Sequence, residues 1–175
     1  MIVFLVLQLL FGINSLSEDE IKMSDKNPKI KSFLNNISQI ESSGGKNYNH
    51  DLIQKGIHTG HKAIGRYGLM PNTVNETLNR MRMSGTITPE LAELNKLDPQ
   101  TMKATLESNP GLEDQIAEAL ANRVLERQQD EEKAAFSWHQ GHNLTPEQID
   151  AKKYQEHDYV KKYNEYKKLM EDKDK

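Results

Sequence analysis

An amphipathic segment from residue 28 to residue 45 constrains the fold more than any other part of this sequence. Its apolar residues recur at the spacing of one helix face, at Ile30, Phe33, Leu34, Ile37 and Ile40. Asn27 is suited to cap the start of a helix, and Pro28 is favoured at the first helical position. Gly44 and Gly45 are suited to end it. We therefore predict a helix whose apolar face packs against a core.

Glu41 lies within the apolar stripe of this predicted helix. It follows Ile37 by four residues and Leu34 by seven, so its side chain projects from the apolar face. Desolvation and the partial negative charge of the helix C-terminus both disfavour the ionised carboxylate, so we expect a raised pKa. A carboxylic acid that keeps its proton can protonate the leaving oxygen of a glycosidic bond. The simpler interpretation is a glutamate at a frayed helix end.

The composition limits the classes of protein that remain. The 175 residues suit one domain, and 35% hydrophobic with 28% charged residues indicate a small core with long polar faces. The net charge of −3 favours neither nucleic acid nor an anionic membrane as a partner. The absence of cysteine excludes disulfides, thiol nucleophiles and zinc–thiolate sites.

Residues 1–26 are predicted to precede the domain. The apolar run 2–13 is shorter than the roughly 20 residues that a bilayer span requires, but it has the length of a signal-peptide core. A basic n-region is absent from it. An export signal or weak anchor is one interpretation, and a buried helix or an artefact of the assigned start is the other. Residues 17–26 are polar enough to be a linker.

Seven segments of the chain carry helix signals, and hardly any shows the alternation of a strand. After the helix at residue 28, a capping box formed by Thr73 and Glu76 predicts the next start. Five further starts are predicted at Thr88-Pro89, Asp98-Pro99, Asn109-Pro110, Asp130 and Thr145-Pro146. The helix after Asn109 is expected to be the central core helix. We predict a mainly α fold, with at most a small β-hairpin near residues 46–64.

The polar loop before residue 64 contains His50, Asp51, His58 and His61. A metal site there is conceivable, but no H-E-x-x-H helix presents these side chains. Polar groups lining a substrate are the favoured interpretation, and we predict neither a metal nor a cofactor. Residues 146–175 are expected to form a charged C-terminal helix. Its tyrosines and lysines between 152 and 168 form either a glycan- or partner-binding face or, as we favour, a solvated helix face.

Three short motifs, in this order, resemble those of the soluble lytic transglycosylases. They are ESSGG from Glu41, AIGRYGLMPNT from Ala63, and AAFSWHQG from Ala134. The family's signature is a catalytic Glu-Ser at a helix end, a Gly-Leu-Met-Gln-x-Met-Pro-x-Thr segment and an Ala-Tyr-Asn-Ala-Gly helix end. The resemblance spans about residues 30–145. It implies a lysozyme-like fold over residues 27–145 and cleavage of the glycan strand of peptidoglycan.

The resemblance also assigns roles to individual residues. Glu41 takes the place of the catalytic acid, and Trp138 stands where the family has an active-site tyrosine. Two departures occur: Arg66-Tyr67-Gly68 replaces part of the middle motif, and His139 replaces an asparagine. The residues expected to contact substrate are Ser42, Asp51, Tyr67, Met70, Trp138 and His139.

The favoured function is that of a lytic transglycosylase that leaves a 1,6-anhydro product, with Glu41 as acid and then base. One alternative is a hydrolytic muramidase that uses Glu41 and Asp51 together. Another is a glycan-binding structural component of a virion or secretion apparatus. The expected partner is the peptidoglycan strand, and the expected location is extracytoplasmic, either periplasmic or within a bacteriophage particle.

Overall fold

The computed structural model describes residues 27–46 and 63–173, and these residues are mainly helical, which confirms the predicted fold class. Ile64 and Leu69 form an isolated antiparallel bridge, and the described residues contain no β-sheet. Residues 47–62, where most of the predicted hairpin would fall, are outside the described ranges. The α-helices are α1 (Pro28–Ser42), α2 (Pro71–Met83), α3 (Pro89–Leu94), α4 (Pro99–Ser108), α5 (Pro110–Gln128), α6 (Glu131–Gln140), α7 (Pro146–Asp150) and α8 (Asp158–Lys173).

Side-chain caps determine where several of these helices begin. The Asn27 side chain accepts hydrogen bonds from the backbone N–H groups of Lys29 and Ile30 at the start of α1. Asp98 caps α4 in the same way, and Thr145 forms a full capping box at α7. Each cap satisfies N–H groups that have no acceptor within the helix. All three starts are among those that the sequence predicts, and the predicted caps Thr88 and Asp130 are also observed.

The capping box predicted for α2 is wrong. The helix begins three residues earlier, at Pro71 with Met70 as its N-cap, so Thr73 already lies inside its first turn. The Glu76 carboxylate instead accepts hydrogen bonds from Arg80 and Arg123, and it lies 2.8 Å from His142 Nε2. Burial opposes the ionised form, but hydrogen bonds led by His142 lower the pKa of Glu76 to about 2. Charged partners therefore hold this side chain more strongly than a helix N-terminus would.

The helix α5 occupies the centre of the described fold, as the sequence predicts. It contacts α1, α2, α4 and α6. Fully buried residues of α5 such as Ile116, Ala117, Ala121 and Val124 belong to the same core as Phe33 and Ile37 of α1. This packing holds the C-terminal end of α1 in a fixed position relative to α6 and to the turn that precedes α2.

The C-terminal segment is divided, although the sequence predicts one continuous helix from residue 145. After α7 the backbone turns through a left-handed Lys153 (φ 49°) and a short 3-10 helix, Tyr154–Glu156, before α8 begins. The division lets Tyr154 pack with Phe136 in a small second core, while Tyr159 and Tyr163 enter the main core. The core thus continues past residue 145, and Tyr154, Tyr159 and Tyr163 pack inward rather than forming a solvated face.

The apolar run 2–13 lies outside the described residues. None of the helices in the described ranges is long and apolar enough to cross a membrane.

Candidate active site

The side chain of Glu41 is half-buried on the last turn of α1. The helix does not fray there: Ser43 adopts a left-handed conformation (φ 53°), and the N–H groups of Ser43 and Gly44 donate to the carbonyls of Gln39 and Ser38. Such hydrogen bonds satisfy carbonyls that the helix end would otherwise leave free. The interpretation of Glu41 as a residue on a frayed end is therefore not supported.

Tyr159, from α8, is the hydrogen-bond partner of Glu41. Its hydroxyl donates to Glu41 Oε1 at 2.8 Å. Burial raises the pKa of the Glu41 carboxyl, and the Tyr159 hydrogen bond offsets part of that rise. The direction of the shift is the one expected from the position of Glu41 in the apolar stripe. The carboxyl is therefore placed where its proton is held more tightly than in water.

A tight turn lies against the other oxygen of Glu41. The N–H of Ile64 donates to the Leu69 carbonyl at 2.8 Å, and the N–H of Leu69 donates back at 3.0 Å. Gly68 within this turn has φ 63°, and a Cβ added to it would lie 2.5 Å from Glu41 Oε2. Only glycine combines this backbone conformation with so close an approach. We call residues 64–69 the glycine turn.

Ser42 fastens the glycine turn to α1. Its Oγ lies 2.8 Å from the carbonyl oxygen of Arg66 and accepts a hydrogen bond from the N–H of Gly45. The residue is 2% exposed. The prediction that Ser42 contacts substrate is therefore wrong, because its hydroxyl is buried and used within the protein.

Trp138 contacts the backbone of Tyr67 in the glycine turn. Trp138 Nε1 donates to the Tyr67 carbonyl at 3.2 Å, and the indole packs edge-on against Phe33 at a centroid distance of 5.9 Å. The Tyr67 side chain is buried and donates from its hydroxyl to Asp114 at 2.8 Å. The prediction of a substrate contact by the Tyr67 ring is corrected, since this ring packs inward. Trp138 remains half-buried beside the turn, as an aromatic wall would be.

Glu113, on α5, forms a hydrogen bond with the backbone of the glycine turn. Its carboxylate accepts a hydrogen bond from the N–H of Tyr67 at 3.1 Å and is 1% exposed. A Cβ on Gly65, which has φ 61°, would overlap this carboxylate. Burial raises the pKa of Glu113 to about 7, and the Tyr67 N–H and the Arg66 charge offset part of the shift. A glutamate in the first turn of a helix is common for electrostatic reasons, so the sequence alone did not distinguish this one.

Three residues that were predicted to contact substrate remain: His139, Met70 and Asp51. The His139 ring stacks on Tyr159 at a centroid distance of 4.4 Å and an interplanar angle of 14°, so one aromatic ring links it to Glu41. Met70 is half-buried at the residue before α2. Asp51 lies outside the described residues, as do the three histidines of the same loop. No group of three metal-ligating side chains occurs within the described ranges.

Tyr159 is the residue beside Glu41 that the sequence analysis did not name as part of the site. Its spacing of four residues from Tyr163 places both on one helix face, which is the signal that was available. The structure thus gathers Glu41, Trp138 and His139 around the glycine turn and Tyr159. A protonatable carboxyl, a hydroxyl donor and an aromatic wall together can perform acid catalysis on a sugar.

Comparison with known proteins finds no family model, curated protein or solved structure that matches this chain. The resemblance to the lytic transglycosylases therefore rests on the three motifs.

We predict that Glu113→Gln changes the pH dependence of stability. Because the folded pKa of Glu113 is raised, its contribution to stability is fully present below the ordinary glutamate pKa and is lost as pH rises toward about 7. The amide resembles the protonated acid and does not titrate. Relative to the parent protein, the variant should gain on the order of 1 kcal/mol per pH unit between about pH 4.5 and 7. Denaturant unfolding at several pH values measures this difference, and a constant difference would contradict the prediction.

Proposed function

We propose that this protein is a peptidoglycan lytic transglycosylase that cleaves the β-1,4 bond between N-acetylmuramic acid and N-acetylglucosamine. The observation that carries the proposal is the Glu41 carboxyl, which is half-buried at a capped helix end against the glycine turn and Tyr159. Glu41 belongs to the first of the three family-like motifs and the glycine turn to the second, while Tyr159 belongs to α8. The substrate places the site of action outside the cytoplasm, in the periplasm or at a wall reached by a bacteriophage particle.

In the proposed mechanism Glu41 acts first as an acid. It donates its proton to the bridging oxygen, and the bond from that oxygen to C1 of the muramic acid breaks. An oxocarbenium-like centre develops at C1. The C6 hydroxyl of the same sugar then attacks C1, and its proton returns to the Glu41 carboxylate. The product is a 1,6-anhydro sugar, and the enzyme recovers its starting protonation state.

Tyr159 and Trp138 have distinct parts in this mechanism. The Tyr159 hydroxyl can stabilise the Glu41 carboxylate that exists between the two proton transfers, because a hydrogen bond to the ionised form is the stronger one. The half-buried Trp138 offers an aromatic surface to a sugar ring. Its indole N–H is already bonded to the Tyr67 carbonyl, so the ring orientation is set before substrate arrives.

The intramolecular attack needs only one carboxyl group. A hydroxyl of the substrate is an oriented nucleophile at high effective concentration, so no second acid has to hold a water molecule. A hydrolytic muramidase would require a second carboxylate about 5–9.5 Å from Glu41, and the sequence offers Asp51 for that position. The two mechanisms therefore differ in their products.

Replacing Glu41 tests the proposal directly. Glu41→Gln keeps the shape of the side chain but cannot donate the proton, so digestion of purified sacculi should fall by about 100-fold or more. Glu90→Gln changes an exposed glutamate on α3 and serves as the matched control. Muropeptides released by the parent protein should be lighter by one water than those from a muramidase. Mass spectrometry of the digest measures this.

Three outcomes would contradict parts of the proposal. Near-normal digestion by folded Glu41→Gln protein would remove Glu41 from the chemistry. Reducing muramic acid ends, together with an inactive folded Asp51→Asn variant, would establish a muramidase instead. Binding of sacculi without any cleavage by the parent protein would favour a structural component of a virion or secretion apparatus.

The Tyr159 hydrogen bond gives a prediction of its own. Activity requires the protonated Glu41, so the rate should fall as pH rises through the pKa of this carboxyl. Because the Tyr159 hydroxyl lowers that pKa, Tyr159→Phe should move the falling limb of the pH–rate profile to higher pH. Tyr166→Phe, on the same helix, is the control. An unmoved limb in Tyr159→Phe would show that the hydroxyl does not act on Glu41 in solution.

A further inference from the structure

The first turn of α8 carries Tyr159, and the side chain of His157 caps that turn. His157 has the extended backbone of a residue that precedes a helix (φ −74°, ψ 134°), and its carbonyl accepts the N–H of Lys161 at 3.1 Å. Its ring atom Nδ1 accepts the N–H of Tyr159 at 3.2 Å. The imidazole therefore serves α8 as an asparagine or aspartate side chain serves other helices at the N-cap.

A second imidazole holds the ring of Tyr159. His139, in the last turn of α6, stacks on this ring at a centroid distance of 4.4 Å. The rings of His139 and His157 lie 5.5 Å apart between centroids, and Phe136 of α6 packs edge-on against His157 at 5.2 Å. The backbone N–H and the ring of Tyr159 are thus each held by an imidazole, while its hydroxyl donates to Glu41.

The cap can form only while the His157 ring is neutral. A neutral imidazole has one acceptor nitrogen, and a protonated imidazole has none. Since Nδ1 accepts the Tyr159 N–H, the ring proton is on Nε2, which lies 3.3 Å from the amide nitrogen of Gln140. A half-turn of that amide presents its oxygen as the acceptor for this proton. A proton on Nδ1 would remove the cap and place a positive charge at a helix N-terminus, where the helix dipole opposes it.

The titratable and charged side chains around the His157 ring come from α6, from the 3-10 helix and from the first turns of α8. They are His139, Tyr154, Glu156, Asp158, Tyr159, Lys161 and Lys162. Asp158 is strongly exposed and lies 3.5 Å from the Lys161 ammonium, so solvent screens its carboxylate. Charges of both signs therefore surround the ring. The requirement for a neutral ring comes from the hydrogen-bond geometry of the cap and not from a net field.

We propose that His157 is a positioning residue of the site, because its neutral ring caps α8 and thereby holds the Tyr159 hydroxyl against Glu41. The inference rests on the proposed function, in which that hydroxyl stabilises the Glu41 carboxylate between the two proton transfers. A helix that loses its N-cap frays in its first turn, and Tyr159 is the second residue of α8. Activity then requires a protonated Glu41 and a neutral His157, so the pH–rate profile has an alkaline limb and an acid limb.

The titration of the Glu41 carboxyl tests the inference without any catalysis. Followed by carbon-13 NMR, Tyr159→Phe should raise the midpoint of this titration, because the Tyr159 hydroxyl lowers the pKa of the carboxyl. His157→Ala removes the cap and should produce most of the same rise. His157→Asn supplies an acceptor that does not titrate, so its midpoint should stay at the parent value.

A double variant shows whether the cap acts through the hydroxyl. In the Tyr159→Phe background, His157→Ala should cause no further rise, because the hydrogen bond that it would loosen is already absent. An equal rise in both backgrounds, or no rise in either, would overturn the positioning role.

A second measurement needs no variant that lacks the cap. In the parent protein the Glu41 signal should show a second inflection where the His157 ring titrates, and His157→Asn and Tyr159→Phe should lack it. An inflection of the same size in Tyr159→Phe would show a direct effect of the imidazole charge and would overturn the positioning role. Its absence from the parent would overturn that role as well.

Digestion of sacculi over a pH series connects the cap to the proposed reaction. On the acid side the rate of the parent should fall toward that of Tyr159→Phe, whereas His157→Asn should keep its rate. His142→Asn changes a histidine that faces Glu76, and this matched control should keep the parent profile. Identical profiles for the parent and His157→Asn would overturn the positioning role and leave the transglycosylase proposal standing. Coupling of the cap to the Glu41 titration without any cleavage would refute the proposed enzyme and retain His157 as the residue that positions Tyr159.

Discussion

The contact between the Glu41 carboxyl and the backbone of Gly68 is the constraint on which the rest of the site depends. A side chain at residue 68 would occupy the space of the carboxyl oxygen, so the glycine turn can approach α1 only because that position is glycine. Three other bonds then act on the same short backbone segment. Ser42 holds it from α1, Trp138 holds it from α6, and Glu113 supports it from α5.

This arrangement places two carboxyl groups against one turn, Glu41 at Gly68 and Glu113 at Gly65. Burial raises the pKa of both Glu41 and Glu113, so each disfavours the folded state when it is ionised. Their contributions to stability are present below the ordinary glutamate pKa and are lost as pH rises through the raised values. Hydrogen bonds offset part of the cost of burying each ionised carboxylate: backbone N–H groups donate to Glu113, and the Tyr159 hydroxyl donates to Glu41. Keeping a protonatable acid in the site therefore lowers the stability of the fold, and the large core around α5 has to offset this loss.

The sequence predicted those parts of the fold that follow from local rules. The stripe containing Phe33 and Ile37 gave α1 and the direction of Glu41, and proline after a capping residue gave most helix starts. Contacts between distant segments were the ones that it missed. Tyr159 reaches Glu41 across 118 residues, and the division at Lys153 that lets it do so has no local signal.

Two kinds of error in the predictions have physical causes. Ser42 and Tyr67 were assigned to substrate because a motif does not show whether a side chain or its backbone acts, and here their side chains face inward. Glu76 was assigned to a cap because the box pattern fits, but Arg80, Arg123 and His142 bind its carboxylate more strongly. Both errors arise where tertiary partners compete with a local rule.

The titration of the Glu41 carboxyl itself tests the central claim most directly. Carbon-13 NMR of protein with labelled glutamate side chains, with the Glu41→Gln spectrum used for assignment, follows this one group as pH changes. The account predicts a midpoint above that of a free glutamate side chain, because burial outweighs the Tyr159 hydrogen bond. A midpoint at or below the free value would contradict it, since the carboxyl would then have no proton to donate near neutral pH.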